Sequence, residues 1–316
     1  MNVPLLDLVA QYETIRESVL PAMMAVIERQ GFIMGPEVAE LEAAIARLSH
    51  SRHAIACASG TDALLLPLRT LALQPGDEVI APAFTFFATA GAIHNAGGTP
   101  VFADIDPGTF LITPEGVEAA LTPRTRAIVT VDLYGQMAPI EAINRIASSR
   151  GLAVIEDAAQ AIGARRRVGD TWRMAGELAT FGTLSFFPSK NLGGWGDGGM
   201  MLTEDDAAAA RLRTLRLHGG AKQYHHDEVG FNSRLDTIQA AVLLAKLPYL
   251  AGWSEARRNH AARYSRELAG LAMVRPPKTD PANEHIFHQY TLRVSRRDEL
   301  QAHLKARGIA TAVYYP

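Results

Sequence analysis

From His53 to Leu202 the chain alternates short apolar runs with amphipathic stretches of helical period, and no other feature narrows its fold so far. Apolar runs without polar alternation mark strands buried on both faces, and two such strands in parallel need a crossover, normally a helix. The runs His53–Ala58, Glu78–Ala81, Thr99–Ala103, Ala127–Val131, Ala153–Glu156, Ala179–Phe186 and Gly199–Leu202 predict strands. Glu37–Leu48, Thr61–Leu71, Thr85–Asn95, Thr113–Leu121, Pro139–Ser149 and Asp205–Leu215 predict helices. Thr113-Pro-Glu-Gly116 adds chemical support, with a threonine cap ahead of a proline at the first helical position. The expected class is α/β, a mostly parallel central sheet with helices on both faces.

Beyond Leu235 the pattern changes. Leu235–Leu247 reads as one apolar helix and Tyr249–Leu268 as a second, charged one. After the breaks at Pro276-Pro277 and Pro281 come a strand, Gln289–Val294, and a helix, Arg297–Arg307. A chain of 316 residues exceeds the usual single core, so a large domain, 30–250, and a smaller α+β domain, 251–316, are expected. Residues 1–29 are expected to pack on the small one. The net charge of −2 gives no footprint for nucleic acid, and no apolar run is long enough for a membrane span. Met1-Asn-Val-Pro-Leu-Leu-Asp7 lacks the basic start and long apolar run of a secretory signal, so a cytoplasmic protein is expected. The single cysteine, Cys57, lies in an apolar strand and reads as core.

One lysine stands apart. In Ser185-Phe-Phe-Pro-Ser-Lys190-Asn-Leu-Gly-Gly-Trp-Gly-Asp-Gly-Gly199 an aromatic-proline approach and five glycines surround Lys190. Such flanks predict a tight, partly desolvated loop, and desolvation lowers an amine's pKa. A neutral amine attacks a carbonyl, so Lys190 reads as a carbonyl-binding lysine, the carbonyl being that of pyridoxal phosphate. Ser59-Gly60-Thr61-Asp62 follows a strand and opens a helix, where free N–H groups can hold a phosphate; alone, it is more readily an ordinary helix cap. Asp157 and Gln160, in Glu156-Asp-Ala-Ala-Gln160, stand at the end of a strand, where open α/β sheets bind ligands. An aspartate there suits a pyridinium nitrogen and Gln160 a phenolic oxygen, although an isolated aspartate also caps. Phe84-Thr-Phe86-Phe87 offers a ring on which to stack, or simply core. Ser185 adds a hydroxyl. Asn232 and Arg234 precede a helix that Ser233 or Asp236 caps, and Arg234 suits a carboxylate or phosphate. Tyr224-His-His226 lacks the spacing of a metal site, so no metal is expected. Arg165-Arg-Arg167 reads as a solvated hairpin.

In order and spacing, Ser59-Gly-Thr-Asp-Ala63, Phe84-Thr-Phe86, Glu156-Asp-Ala-Ala-Gln160, Ser185-Phe-Phe-Pro-Ser-Lys190 and Asn232-Ser-Arg-Leu-Asp236 resemble the DegT/DnrJ/EryC1/StrS family. These are sugar aminotransferases with the pyridoxal-phosphate aspartate-aminotransferase fold. The resemblance implies that Lys190 forms the Schiff base and then carries the proton. It implies Asp157 on the pyridine nitrogen, Gln160 on the phenolic oxygen, Phe86 on the ring face, and Gly60, Thr61 and Ser185 on the phosphate. Asn232 would reach the partner subunit's phosphate in a homodimer. L-Glutamate would be the amino donor and a nucleotide-linked keto-sugar the acceptor, in amino-sugar or cell-surface polysaccharide biosynthesis. Gln160 resembles the members acting at C3, on a UDP-3-keto-glucuronate or a dTDP-3-keto-6-deoxyhexose. Arg234, Tyr314 and Tyr315 match sugar-contacting positions, with Tyr314 where the uronate enzymes have histidine. The family usually continues some tens of residues past Tyr-Tyr-Pro316, implying an incomplete small domain. A keto-sugar dehydratase and a non-catalytic regulator share the fold; Lys190 speaks against the first, which typically has histidine there.

Overall fold

A computed structural model describes residues 2–220, 222 and 224–316. In chain order its elements begin with α1 (Leu8–Arg29), α2 (Pro36–Leu48), β1 (His53–Cys57), α3 (Gly60–Thr70), β2 (Glu78–Pro82), α4 (Phe87–Asn95) and β3 (Thr99–Ala103). Next come α5 (Pro114–Ala120), β4 (Thr125–Val131), α6 (Ile140–Ser148), β5 (Ala153–Asp157), β6 (Arg165–Val168), β7 (Thr171–Met174), β8 (Phe181–Ser185) and β9 (Gly199–Thr203). The remainder is α7 (Asp206–Leu215), α8 (Thr237–Lys246), α9 (Leu250–Leu268), β10 (Val274–Arg275), β11 (Asn283–Glu284), β12 (Arg293–Val294) and α10 (Arg297–Ala306).

Seven strands form the central sheet in the order β1-β9-β8-β5-β4-β2-β3. Only β9 runs against its neighbours; the other pairings are parallel. Side chains alternate between faces along each strand, and the core divides accordingly. Ile80, Ile128, Val154, Leu184 and Met200 face a layer built from α2, α6 and α8 through Leu41, Ile45, Ile143 and Leu243. Their neighbours Val79, Val129, Ile155 and Met201 face α3, α4 and α7 through Leu66, Leu68, Ile93 and Leu212. Both faces are therefore dry, which fixes the strand ends that carry the site.

Helix α1 lies on α8 through Ile15, Val19 and Val242, while Val3 bridges to Ile309 beyond α10. Residues 1–29 therefore pack mainly within 30–250 and not, as expected, on 251–316: the apolar face of α8 is the one that receives them. Three further expectations shift. The helix expected from Thr85 begins at Phe87: Phe86 keeps an extended backbone and offers no capping side chain, so its ring stays out of the core. The strand expected over Gln289–Val294 shrinks to β12, because the Gln289 N–H is spent on the Tyr134 carbonyl at 3.4 Å. The arginine run does form a hairpin, β6–β7, but it is not wholly solvated. Arg166 is 5% exposed and bonds Glu141 at 2.9 Å and Asp280 at 2.8 Å. Strand alternation turns Arg166 inward while Arg167 faces solvent.

Candidate active site

Strand β5 ends at Asp157, in register with Val131 of β4 and Thr183 of β8. Its carboxylate is 6% exposed and accepts from Thr89 Oγ1 at 3.0 Å and from the Ala159 N–H at 3.2 Å. Burial pushes its pKa up, opposed by the Ala159 N–H, the Lys190 charge and the Thr89 hydroxyl, all of which favour the ionised form. An aspartate held this way is primed for a cationic partner.

Lys190 lies in the loop that leaves β8. The loop is tight, with the Lys190 N–H on the Phe187 carbonyl and the Gly194 N–H on the Phe186 carbonyl, both at 2.8 Å. A Cβ on Gly193 would stand 2.3 Å from the Pro188 carbonyl oxygen, so no side chain fits there. Burial pulls the lysine pKa below its ordinary value, and Asp157 pulls it partly back. The loop is gripped from below by Lys246 of α8, which is 1% exposed and donates to the Gly193 carbonyl. Burial lowers Lys246 to about 8.

A second corner of the site lies where β1 and β8 end. Ser59 caps α3, its Oγ accepting from the Asp62 N–H at 3.1 Å, and the Gly60 and Thr61 N–H groups remain at the helix start. A Cβ on Gly60 would come within 2.6 Å of Ser185 Cβ. Glycine thus lets the Ser185 hydroxyl stand against the helix start. Ser233 completes this corner by donating to Asp62 at 2.7 Å and accepting from the Ala58 N–H at 3.3 Å. It serves α3 rather than α8, and Asp236, although at the N-cap of α8, makes no capping bond. Next to Ser233, Asn232 is exposed, and its Oδ1 accepts from Arg234 Nη2 at 2.6 Å.

Gln160 faces the same opening. Its Oε1 accepts from the Tyr134 N–H at 2.6 Å and its Nε2 donates to the Tyr315 hydroxyl at 3.3 Å. Tyr315, its pKa pushed up to about 12 chiefly by burial, has its ring centroid 6.2 Å from that of Phe86. The Tyr314 carbonyl accepts from the Tyr134 hydroxyl. Lys190, Asp157, Gln160 and Tyr315 therefore meet at one end of the sheet, as do Gly60, Thr61 and Ser185, with Asn232 and Arg234 on the adjoining surface. Among the described residues no cluster of histidines, cysteines or carboxylates is arranged to hold a metal ion. Within the Tyr224-His-His226 segment, His226 Nδ1 instead pairs with the His218 carbonyl at 3.0 Å.

Several contributors escaped the sequence. Thr89 and Tyr134 act through partners distant in the chain. Asp132 and Glu156, both buried, are pushed above the usual carboxylate range, chiefly by burial. The Lys190 motif does contain Asn191, but nothing local marks its partner, His288.

The sequence matches the profile of the DegT/DnrJ/EryC1/StrS aminotransferase family over residues 13–316. It is 53% identical to a pleiotropic regulatory protein of Geobacillus stearothermophilus, covering 100% of this chain and 84% of that one. It is 46% identical to a UDP-N-acetyl-3-dehydro-alpha-D-glucosamine 3-aminotransferase of Acidithiobacillus ferrooxidans, covering 99% and 84%. The crystal structure of Streptomyces venezuelae DesV in complex with a ketimine intermediate superimposes with a TM-score of 0.96 at 43% identity, covering 100% and 84%. The chain belongs to the DegT/DnrJ/EryC1/StrS aminotransferase family.

Proposed function

We propose that the protein is a pyridoxal-phosphate-dependent aminotransferase that moves an amino group from L-glutamate to C3 of a nucleotide-linked keto-sugar. The observation that carries this reading is the half-buried Lys190 and the buried Asp157 within reach of each other's charge at the sheet end, beside an open helix start. The residues fit the cofactor. A buried carboxylate that feels the charge of Lys190 suits a pyridinium, and the Gly60–Ser185 corner, which a Cβ would fill, suits a phosphate.

When bound, pyridoxal phosphate supplies an aldehyde carbon for amines and a ring that withdraws electrons. Asp157 would keep the ring nitrogen protonated, and Gln160, held by Tyr134, would bond the phenolic oxygen. Thr61, Ser185 and the Gly60 N–H would hold the phosphate, and Phe86 would cover the ring. Lys190, with its pKa lowered by burial, would give up and take back a proton at Nζ. Arg234, Tyr314 and Tyr315 would contact the sugar. This pairing of lysine and aspartate favours an enzyme over a non-catalytic member of the family, whatever name a relative carries.

The rim favours a homodimer in which Asn232 reaches the neighbouring subunit. Phe87, Tyr224 and Val229 are more than 80% exposed, apolar side chains that a second copy would cover. A division into residues 30–250 and 251–316, with 1–29 as a separate segment, belongs to the same reading, as does a cytoplasmic setting. Among the described residues, no helix is long and apolar enough to cross a membrane.

The test is a coupled assay of 2-oxoglutarate formed from L-glutamate against a panel of UDP- and dTDP-linked 3-keto and 4-keto sugars. Turnover confined to 3-keto acceptors is expected. Turnover confined to 4-keto acceptors, or none with any acceptor, would reject the assignment.

A further inference from the structure

Asn191 follows Lys190 directly and is 5% exposed. Its Oδ1 lies 2.7 Å from Nδ1 of His288, which is 9% exposed and comes from the segment after β11. An amide oxygen only accepts, so the imidazole carries its proton on Nδ1. Every charged group facing this ring favours its neutral form: Lys190 from the loop, and Arg257 from α9, whose Nη1 also donates to the His288 carbonyl at 3.1 Å. Burial acts in the same direction and more strongly. His288 is therefore a fixed, uncharged donor.

The same short segment is fastened on the other side of the site. The Ile286 N–H donates to the Gly135 carbonyl at 3.0 Å and the Gln289 N–H to the Tyr134 carbonyl at 3.4 Å. Tyr134 in turn holds Gln160. Residues 286–289 thus span from the turn that orients Gln160 to the residue beside Lys190. We propose that His288 is a positioning residue: its Nδ1–H, given to Asn191, sets the Lys190 loop in register with the Gln160 side of the site. The inference rests on Lys190 being the lysine that binds the cofactor.

Three variants of the holoprotein test it. His288→Asn can present an amide N–H near the place of Nδ1, His288→Leu removes the donor, and Asn191→Asp keeps the acceptor but adds a charge next to Lys190. The readouts are the pH midpoint of the bound cofactor's visible absorbance band, and kcat and KM for L-glutamate. His288→Leu should lower kcat by about tenfold or more with KM changed by less than about threefold, because a misplaced amine costs chemistry rather than binding. It should also move the spectral midpoint, and His288→Asn should recover most of both effects. Asn191→Asp should raise the midpoint by about one pH unit, since a carboxylate favours a nearby positive charge. Wild-type behaviour of His288→Leu, or equal impairment of the Asn and Leu variants, would overturn the proposal. Borohydride reduction of the unaltered holoprotein separates the two levels. A label on another lysine removes the reading beneath; a label on Lys190 with indifferent variants removes only this inference.

Discussion

Asp157, Ser185 and Gly60 stand at the ends of strands buried on both faces, whereas Phe86, Phe87 and Asn232 stand on a surface open to solvent, Phe87 at 81% exposure. On the floor the key groups have internal partners: Asp157 with Thr89 and Ala159, Ser59 with Asp62, Ser233 with Ala58 and Asp62, and the Gly193 carbonyl with Lys246. On the rim, large rings lie uncovered, and among the described residues the Asn232 and Arg234 side chains bond to each other. Burying one such ring is worth about 1.5–3 kcal/mol, a gain the monomer leaves unclaimed. In the proposed homodimer this difference has a meaning: one chain would complete the floor alone, and a second copy would complete the rim.

The largest effect should come from the floor. Asp157→Asn keeps the shape but removes the charge that stabilises a pyridinium, so turnover should fall by about a hundredfold to a thousandfold while the cofactor still binds. An unchanged kcat would break the comparison at its root. Gly60→Ala should follow. Its Cβ would meet Ser185 at 2.6 Å, parting the helix start from the hydroxyl, and cofactor affinity should fall by about tenfold or more in an equilibrium dialysis measurement.

The rim calls for a different test. Lys190→Ala and Asn232→Ala homodimers should each be impaired, but a mixed dimer places both lesions in one site if Asn232 acts across the interface. Co-refolded equal mixtures should then regain up to about a quarter of wild-type activity, from one intact site in each heterodimer. No recovery in verified heterodimers would assign Asn232 to its own subunit, and the rim would be complete without a partner. The smallest effect belongs to Phe86→Leu. It loses a stacking contact worth about 0.5–1.5 kcal/mol, so cofactor retention should weaken only a few-fold, with kcat nearly unchanged.

Sequence legibility follows the same division. Asp157 was readable because the apolar run Ala153–Glu156 ends there, and a buried strand's end is a position that local pattern determines. The tight loop around Lys190 was readable because its glycines and proline dictate it. Arg166 was missed although strand alternation carries the information: the middle of three arginines turns to the opposite face from its neighbours. The late start of α4 at Phe87 went unseen because a helix without a capping side chain leaves no local mark. His288 was beyond reach, since its meaning lies in a bond to a residue 97 positions away. Such a contact exists only once the chain has folded.

The buried floor around Lys190 is the proposed seat of the cofactor's carbonyl. Borohydride reduction of the purified holoprotein, followed by peptide mapping, puts this to the test. A pyridoxyl group is expected on the peptide containing Lys190 and on no other lysine. Modification of a different lysine, or none when the visible band of the cofactor is present, would rule Lys190 out.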